Sequence, residues 1–322
     1  MKKITVSAPG KLMLFGEHAV VYGSPCIVTA VNHRMKVTVE ENSTNELVIQ
    51  APDVQITNYK KHLSKIEIGN IPKGAQFIEK AVANFFQIYP FKTGITITTA
   101  SEFSSLFGFG SSSASTVCVI KALAEIYSIS LSQKELFDLA YKTVLDIQQK
   151  GSGFDIASAI YGGTIYFITS GTTIEKLPVE SIPLTVAYSG VKADTTTLVN
   201  NVANLKKQNP ELVNGLFMNI AQIVEEAKTA LLQKDWKTLG QLMDSNQLYL
   251  DQLEIMTDKL STLINAAKQA GALGTKISGA GGGDCIIALS PEYKTKIEQT
   301  LEQTDAHIIQ VEANVEGVRI EK

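Results

Sequence analysis

Apolar and polar side chains alternate with a period of two over residues 2–7, as in a half-buried strand, until Ala8-Pro9-Gly10 interrupts the run. Residues 11–15 read as a further extended stretch, 26–31 and 35–40 as paired strands, and 46–50 as a candidate addition. Helical spacing is predicted over 76–86, and the β-branched run at 94–99 predicts a strand. An apolar segment at 116–127 reads as helix. Ser132-Gln133-Lys134-Glu135 has the capping-box pattern and opens another helix, whose apolar residues recur to Val144. Gly151-Ser152-Gly153-Phe154-Asp155 breaks it, a short apolar segment covers 156–160, and 164–168 is a strand. Past a compositional shift at 169–173, strands are expected at 184–189, 274–278, 284–289 and 307–313. Helices are expected at 213–232, 236–250, 257–269 and 291–303. Mixed elements of this kind predict an α+β (α/β two-layer) architecture, with domains at 1–175 and 176–322.

Composition narrows the function classes. The 322 residues carry a net charge of −3 without any basic block, which argues against nucleic acid or an anionic membrane surface as partner. No run approaches the roughly 20 apolar residues of a membrane span, and the amino-terminal residues lack the apolar stretch of an export signal. Three scattered cysteines fit a reducing cytoplasm, and the four histidines have no zinc spacing. A small anionic substrate would need a local basic patch.

The chemistry gathers around residues 101–114. Gly108, Gly110 and three serines lead directly into the helix predicted from 116, so free backbone N–H groups and a positive helix end face one point, a ready phosphate site. Serine hydroxyls add hydrogen bonds or an oxygen ligand for Mg²⁺. A capped helix after a flexible loop explains the same residues. The loop is neither a Walker sequence, since no Gly-Lys-Ser/Thr follows, nor a good dinucleotide fingerprint.

Three further features share this register: Ala8-Pro9-Gly10-Lys11, Asp155 within its glycine-framed turn, and Ser278-Gly279-Ala280-Gly281-Gly282-Gly283. Together with 108–114 they resemble the motifs of the GHMP small-molecule kinases, in that family's order and over almost the whole chain. The resemblance implies two domains with the active site in the cleft between them, and ATP as co-substrate with Mg²⁺. It implies that Asn32, Ser101 and the run Leu106, Phe107, Gly108, Phe109, Gly110, Ser111 and Ser112 contact ATP, with Ser112 also a metal ligand. Asp155 falls at the family's catalytic aspartate and Lys11 at its partnering lysine. Phosphoryl transfer asks for alignment and balancing charge, which such a pair supplies. In isolation Asp155 reads more readily as a helix cap and Lys11 as a solvated surface lysine; within the motif set the catalytic reading prevails for both.

Within the family, Gly16-Glu17-His18-Ala19-Val20-Val21-Tyr22-Gly23 is similar to the signature of members that phosphorylate the 5-hydroxyl of mevalonate. This implies His18 near the substrate's carboxylate, with a structural turn histidine as the alternative. Glu17 then orients His18 or Lys11, and Gly281 brings backbone close to substrate or phosphate. The segments 151–155 and 281–285 look more like members that phosphorylate phosphomevalonate, whose extra charge asks for added lysines; Lys192 and Lys276 are candidates. The family's second Mg²⁺ ligand, a glutamate eleven residues before the catalytic aspartate, falls on Val144. The nearest acid, Asp146, is either its substitute or a surface residue. A non-catalytic ligand-binding relative would be expected to lose the lysine, the aspartate or the phosphate loop, and all three are kept. A second copy of the chain stays open as a partner.

Overall fold

The computed structural model describes residues 2–90 and 93–322. In chain order the elements are β1 (Lys3–Phe15), β2 (Pro25–Asn42), β3 (Glu46–Ala51), β4 (Ile56–His62), α1 (Gln76–Ile88), β5 (Gly94–Ser101), α2 (Ser111–Ile126), α3 (Gln133–Gln148), α4 (Phe154–Tyr161), β6 (Thr164–Ile168) and β7 (Thr173–Leu177). There follow β8 (Leu184–Tyr188), α5 (Thr195–Gln208), α6 (Pro210–Gln233), α7 (Trp236–Asp251), α8 (Asp258–Ala270), β9 (Gly274–Ser278), β10 (Cys285–Leu289), α9 (Lys294–Glu302), β11 (His307–Ile309) and β12 (Arg319–Ile320).

The first sheet runs β12-β1-β2-β5-β3-β4, with β6 and β7 branching from β2. Ala8-Pro9-Gly10, expected to end a strand, instead lies inside β1. The pairing with β2 shifts register between Pro9 and Gly10, and a proline, which has no N–H to give, is tolerated at such an irregularity. The runs at 26–31 and 35–40 are likewise one strand. β2 changes neighbour along its length, taking β6 against 25–29 and β5 against 35–42, which is why it reads as two pieces. The pair β3 and β5 is parallel.

The second sheet runs β11-β8-β10-β9 and is buried on both faces. Along β10, Cys285, Ile287 and Leu289 join the larger core with α1 to α4, whereas Ile286 and Ala288 join a core with α6, α8 and α9. That two-sided burial explains the unbroken apolar sequence Cys-Ile-Ile-Ala-Leu. The architecture is α+β with two sheets, as expected.

Several elements escape the periodicity. The apolar segment at 156–160 is helix α4, and α5 has Val202 as its fully buried side chain, so it shows little apolar stripe. The strand expected over 307–313 ends at Ile309. From there the chain crosses back to the first sheet, where Ala313 bridges Val31, Glu316 bridges Gly162, and β12 pairs with β1. The buried Arg34 guanidinium fastens this return, donating to the carbonyls of Glu316 at 3.0 Å and Gly317 at 2.7 Å and to Ser7.

Candidate active site

Two helix N-termini meet in a cleft of about 450 Å³ between the sheets. Helix α2 starts at Gly110, which is left-handed at φ 78° and gives no side-chain cap; no acidic residue occupies its first turn. The first N–H groups of α2 are therefore open to an anion. Gly108 is also left-handed, at φ 72°, a conformation that costs glycine nothing. Strand β1 docks on this loop, the Lys11 N–H donating to the Phe109 carbonyl at 3.0 Å.

Helix α4 is capped by Gly153, at φ 93°, and not by Asp155, which stands in its first turn. The capping explanation for Asp155 is thereby removed. Its Oδ1 is buried, accepts no hydrogen bond, and lies 3.3 Å from Lys11 Nζ. Lys11 is itself buried, with its ammonium 5.1 Å from the centre of the Phe154 ring. A solvated surface lysine does not describe it.

The turn after β1 is held from the second sheet. His18, at φ 58°, places Nε2 3.0 Å from the Ala280 carbonyl. A carbonyl accepts only, so Nε2 carries the proton. Burial lowers the His18 pKa, partly opposed by that hydrogen bond, so the neutral ring leaves Nδ1 as an acceptor. Such a ring suits a hydroxyl donor better than a carboxylate. Glu17 contacts neither His18 nor Lys11 by a hydrogen bond. Its partner is Lys276, in a fully buried ion pair. Burial pushes the Glu17 pKa up against the pull of Lys276, and burial likewise pushes Lys276 down. Lys276 is thus unavailable to a substrate.

Of the remaining expected residues, Gly108, Gly110, Ser111 and Ser112 line the cleft. Phe107 and Phe109 support the loop from behind, with ring centres 5.8 Å apart and Phe107 5.3 Å from Tyr188. Leu106 is exposed at the loop's edge. Asn32 and Ser101 are engaged elsewhere: Asn32 Oδ1 accepts from the Glu312 N–H at 2.9 Å, and Ser101 Oγ donates to the Phe103 carbonyl at 2.6 Å. Gly281 packs against Ile255, and its neighbours Gly279 and Ala280 line the cleft instead. The structure does not bring Asp146 to Ser112. Its carboxylate accepts from Lys142 at 2.7 Å and Asn84 at 3.0 Å in a separate small pocket. Burial works to raise the Asp146 pKa, but those hydrogen bonds and the charges of Lys142 and Lys80 outweigh it and lower it. Among the described residues, no group of three His, Cys, Asp or Glu is placed to hold a metal.

Sequence reasoning missed Lys150, Thr195, Thr196 and Asn200, which also line the cleft; Lys150 Nζ reaches Asn200 Oδ1 at 3.4 Å. The polar composition of α5 carried no signal for Thr195, Thr196 and Asn200.

The profile of the GHMP kinases N terminal domain matches residues 76–163, and that of the GHMP kinases C terminal matches 227–307. The chain belongs to the GHMP kinase family. It is 33% identical over 332 aligned positions to the mevalonate kinase of Thermococcus gammatolerans, covering 99% of each chain. A Listeria innocua protein superposes with a TM-score of 0.88 at 26% identity over 100% of both chains. The Methanococcus jannaschii mevalonate kinase superposes with a TM-score of 0.83 at 26% identity over 98% of each.

Proposed function

We propose that this chain transfers the γ-phosphoryl group of ATP to the 5-hydroxyl of mevalonate, giving 5-phosphomevalonate and ADP. The observation that carries the reading is the pairing of the buried Lys11 with the half-buried Asp155 beside the uncapped start of α2. The open N–H groups receive the triphosphate, and Lys11 faces the phosphoryl oxygens as charge grows on them. Asp155 orients the acceptor hydroxyl and takes its proton as the new O–P bond forms. The β–γ bridging bond breaks, and ADP leaves with the electron pair. The Ser112 hydroxyl is a hard oxygen donor at this helix start, which fits Mg²⁺, an ion that keeps several waters and takes its other ligands from phosphates. When bound, the ion neutralises charge on the β- and γ-phosphates.

Full-length likeness to mevalonate kinases supports an alcohol acceptor, as does the burial of Lys276 against Glu17, which removes one cation that a phosphorylated acceptor would need. A coupled assay of ADP release with mevalonate and with phosphomevalonate tests the reading. Turnover is expected with mevalonate, and turnover confined to phosphomevalonate would overturn it.

A further inference from the structure

The phosphate loop is flanked by two carboxylate–ammonium pairs, of which the proposed mechanism uses one. A side chain built on Gly110 would touch the Lys11 stem at 3.4 Å and Asp155 at 3.6 Å. One built on Gly108 would collide with the carboxylate of Asp284. Asp284 in turn accepts from Lys192 Nζ at 3.1 Å through Oδ1 and at 3.4 Å through Oδ2. The first pair comes from the first sheet and its helix, the second from the segments that follow β8 and precede β10.

The second pair is built, not incidental. Asp284 holds a left-handed φ of 55°, unusual for a non-glycine residue. Its Oδ1 also accepts from the Ala193 N–H at 2.9 Å. Its backbone N–H donates to the Val191 carbonyl at 2.8 Å, and its own carbonyl accepts from the Ser189 N–H at 2.9 Å. The turn carrying Lys192 is therefore fixed at four points. Asp284 is nearly buried, with 9% of its side chain exposed, while Lys192 keeps 41% exposed and lines the cleft. A carboxylate packed against the loop that receives a triphosphate repels it unless a cation stands between them. An ammonium has three donors, and this carboxylate engages at most two of them.

Taking the loop as the triphosphate site, as the proposed function does, we infer that Lys192 is a second cationic contact to the nucleotide's phosphates and that Asp284 is the positioning residue that aims it. Nothing in the Lys11–Asp155 chemistry requires this second pair. Its effect is to bring a charge from the second sheet onto a nucleotide already held by the first.

Calorimetric titration with ATP, ADP and AMP in the absence of acceptor, combined with steady-state kinetics, tests the inference on the full chain. Lys192→Met is expected to weaken ATP and ADP binding about tenfold or more while changing AMP binding little, the effect of a lost charge-assisted contact. Its kcat should fall by a similar factor, and Lys192→Arg should restore part of both. Asp284→Asn removes the repulsive charge together with the aim. It should therefore leave ATP affinity equal or tighter while kcat falls, a split that general damage to the fold does not produce. Added to Lys192→Met, it should cost no further kcat. Lys192→Met binding ATP within twofold of the unmodified chain would overturn the inference, as would an Asp284→Asn loss undiminished in the Lys192→Met background. If the unmodified chain bound no nucleotide, the kinase reading itself would fall.

Discussion

The hydroxyl of Ser278 serves both backbone groups of Met13, accepting from its N–H and donating to its carbonyl, each at 3.0 Å. One side chain on β9 thus completes the hydrogen bonding of β1 and ties the second sheet to the strand that carries Lys11. Ser278→Ala leaves two buried backbone groups without a partner, each worth about 1–3 kcal/mol. A loss of about 2–4 kcal/mol is expected in urea unfolding. An unchanged midpoint would mean that packing alone holds the two strands together.

Asp155→Asn keeps the size of the side chain and removes its ability to take a proton. Turnover is expected to fall by about 10²–10⁴, the range for losing a positioned base. Because Gly153 caps α4 and the asparagine oxygen can still face the Lys11 ammonium from a partly exposed position, the thermal midpoint should move little. Turnover close to that of the unmodified chain would take Asp155 out of the reaction.

Glu17 and Lys276 test the cost of a charge pair in the core. Lys276→Met strands the buried Glu17 carboxylate, whose Oε2 already has no hydrogen-bond partner. The expected destabilisation is about 3–5 kcal/mol, with most of it recovered in the double variant Glu17→Gln/Lys276→Met. Additive losses in a double-mutant cycle would show that the two side chains act independently.

The lowered pKa of His18 sets a pH dependence whose sign follows from linkage. The unfolded chain takes up a proton near the ordinary value of 6.5, while the folded chain resists it because the ring is buried. The contribution to stability is complete above 6.5 and is lost as pH falls from there toward the lower folded value. Unfolding free energies measured between pH 8 and 5 should decline over this window and should do so less steeply in His18→Gln. Identical slopes in the two proteins would remove His18 as the source.

The sequence was most informative where backbone conformation dictates residue type. The glycines at 108, 110 and 153 all adopt positive φ, so their positions were legible as turns leading into helices. The capping box at Ser132 forms as its pattern predicts, with both reciprocal bonds present. What stayed hidden depended on tertiary partners. No periodicity shows that Lys276 is spent on Glu17, that Asp146 turns toward Lys142, or that Asn32 holds the returning tail at Glu312. Helix α5 was illegible for the opposite reason: it faces the cleft with threonines and asparagine, and burial marks it at little more than Val202.

The return of residues 313–320 to the first sheet bears on how the chain is made. The outer edge of β1 and the anchor for Arg34 are supplied by Arg319, Glu316 and Gly317. During synthesis, then, the amino-terminal sheet waits with an unpaired border, and Arg34 with only its Ser7 contacts, until residues 313–320 have left the ribosome. Such long-range closure makes folding slow and exposes the nascent chain to association, which places the demand for chaperone protection on the first half of the molecule.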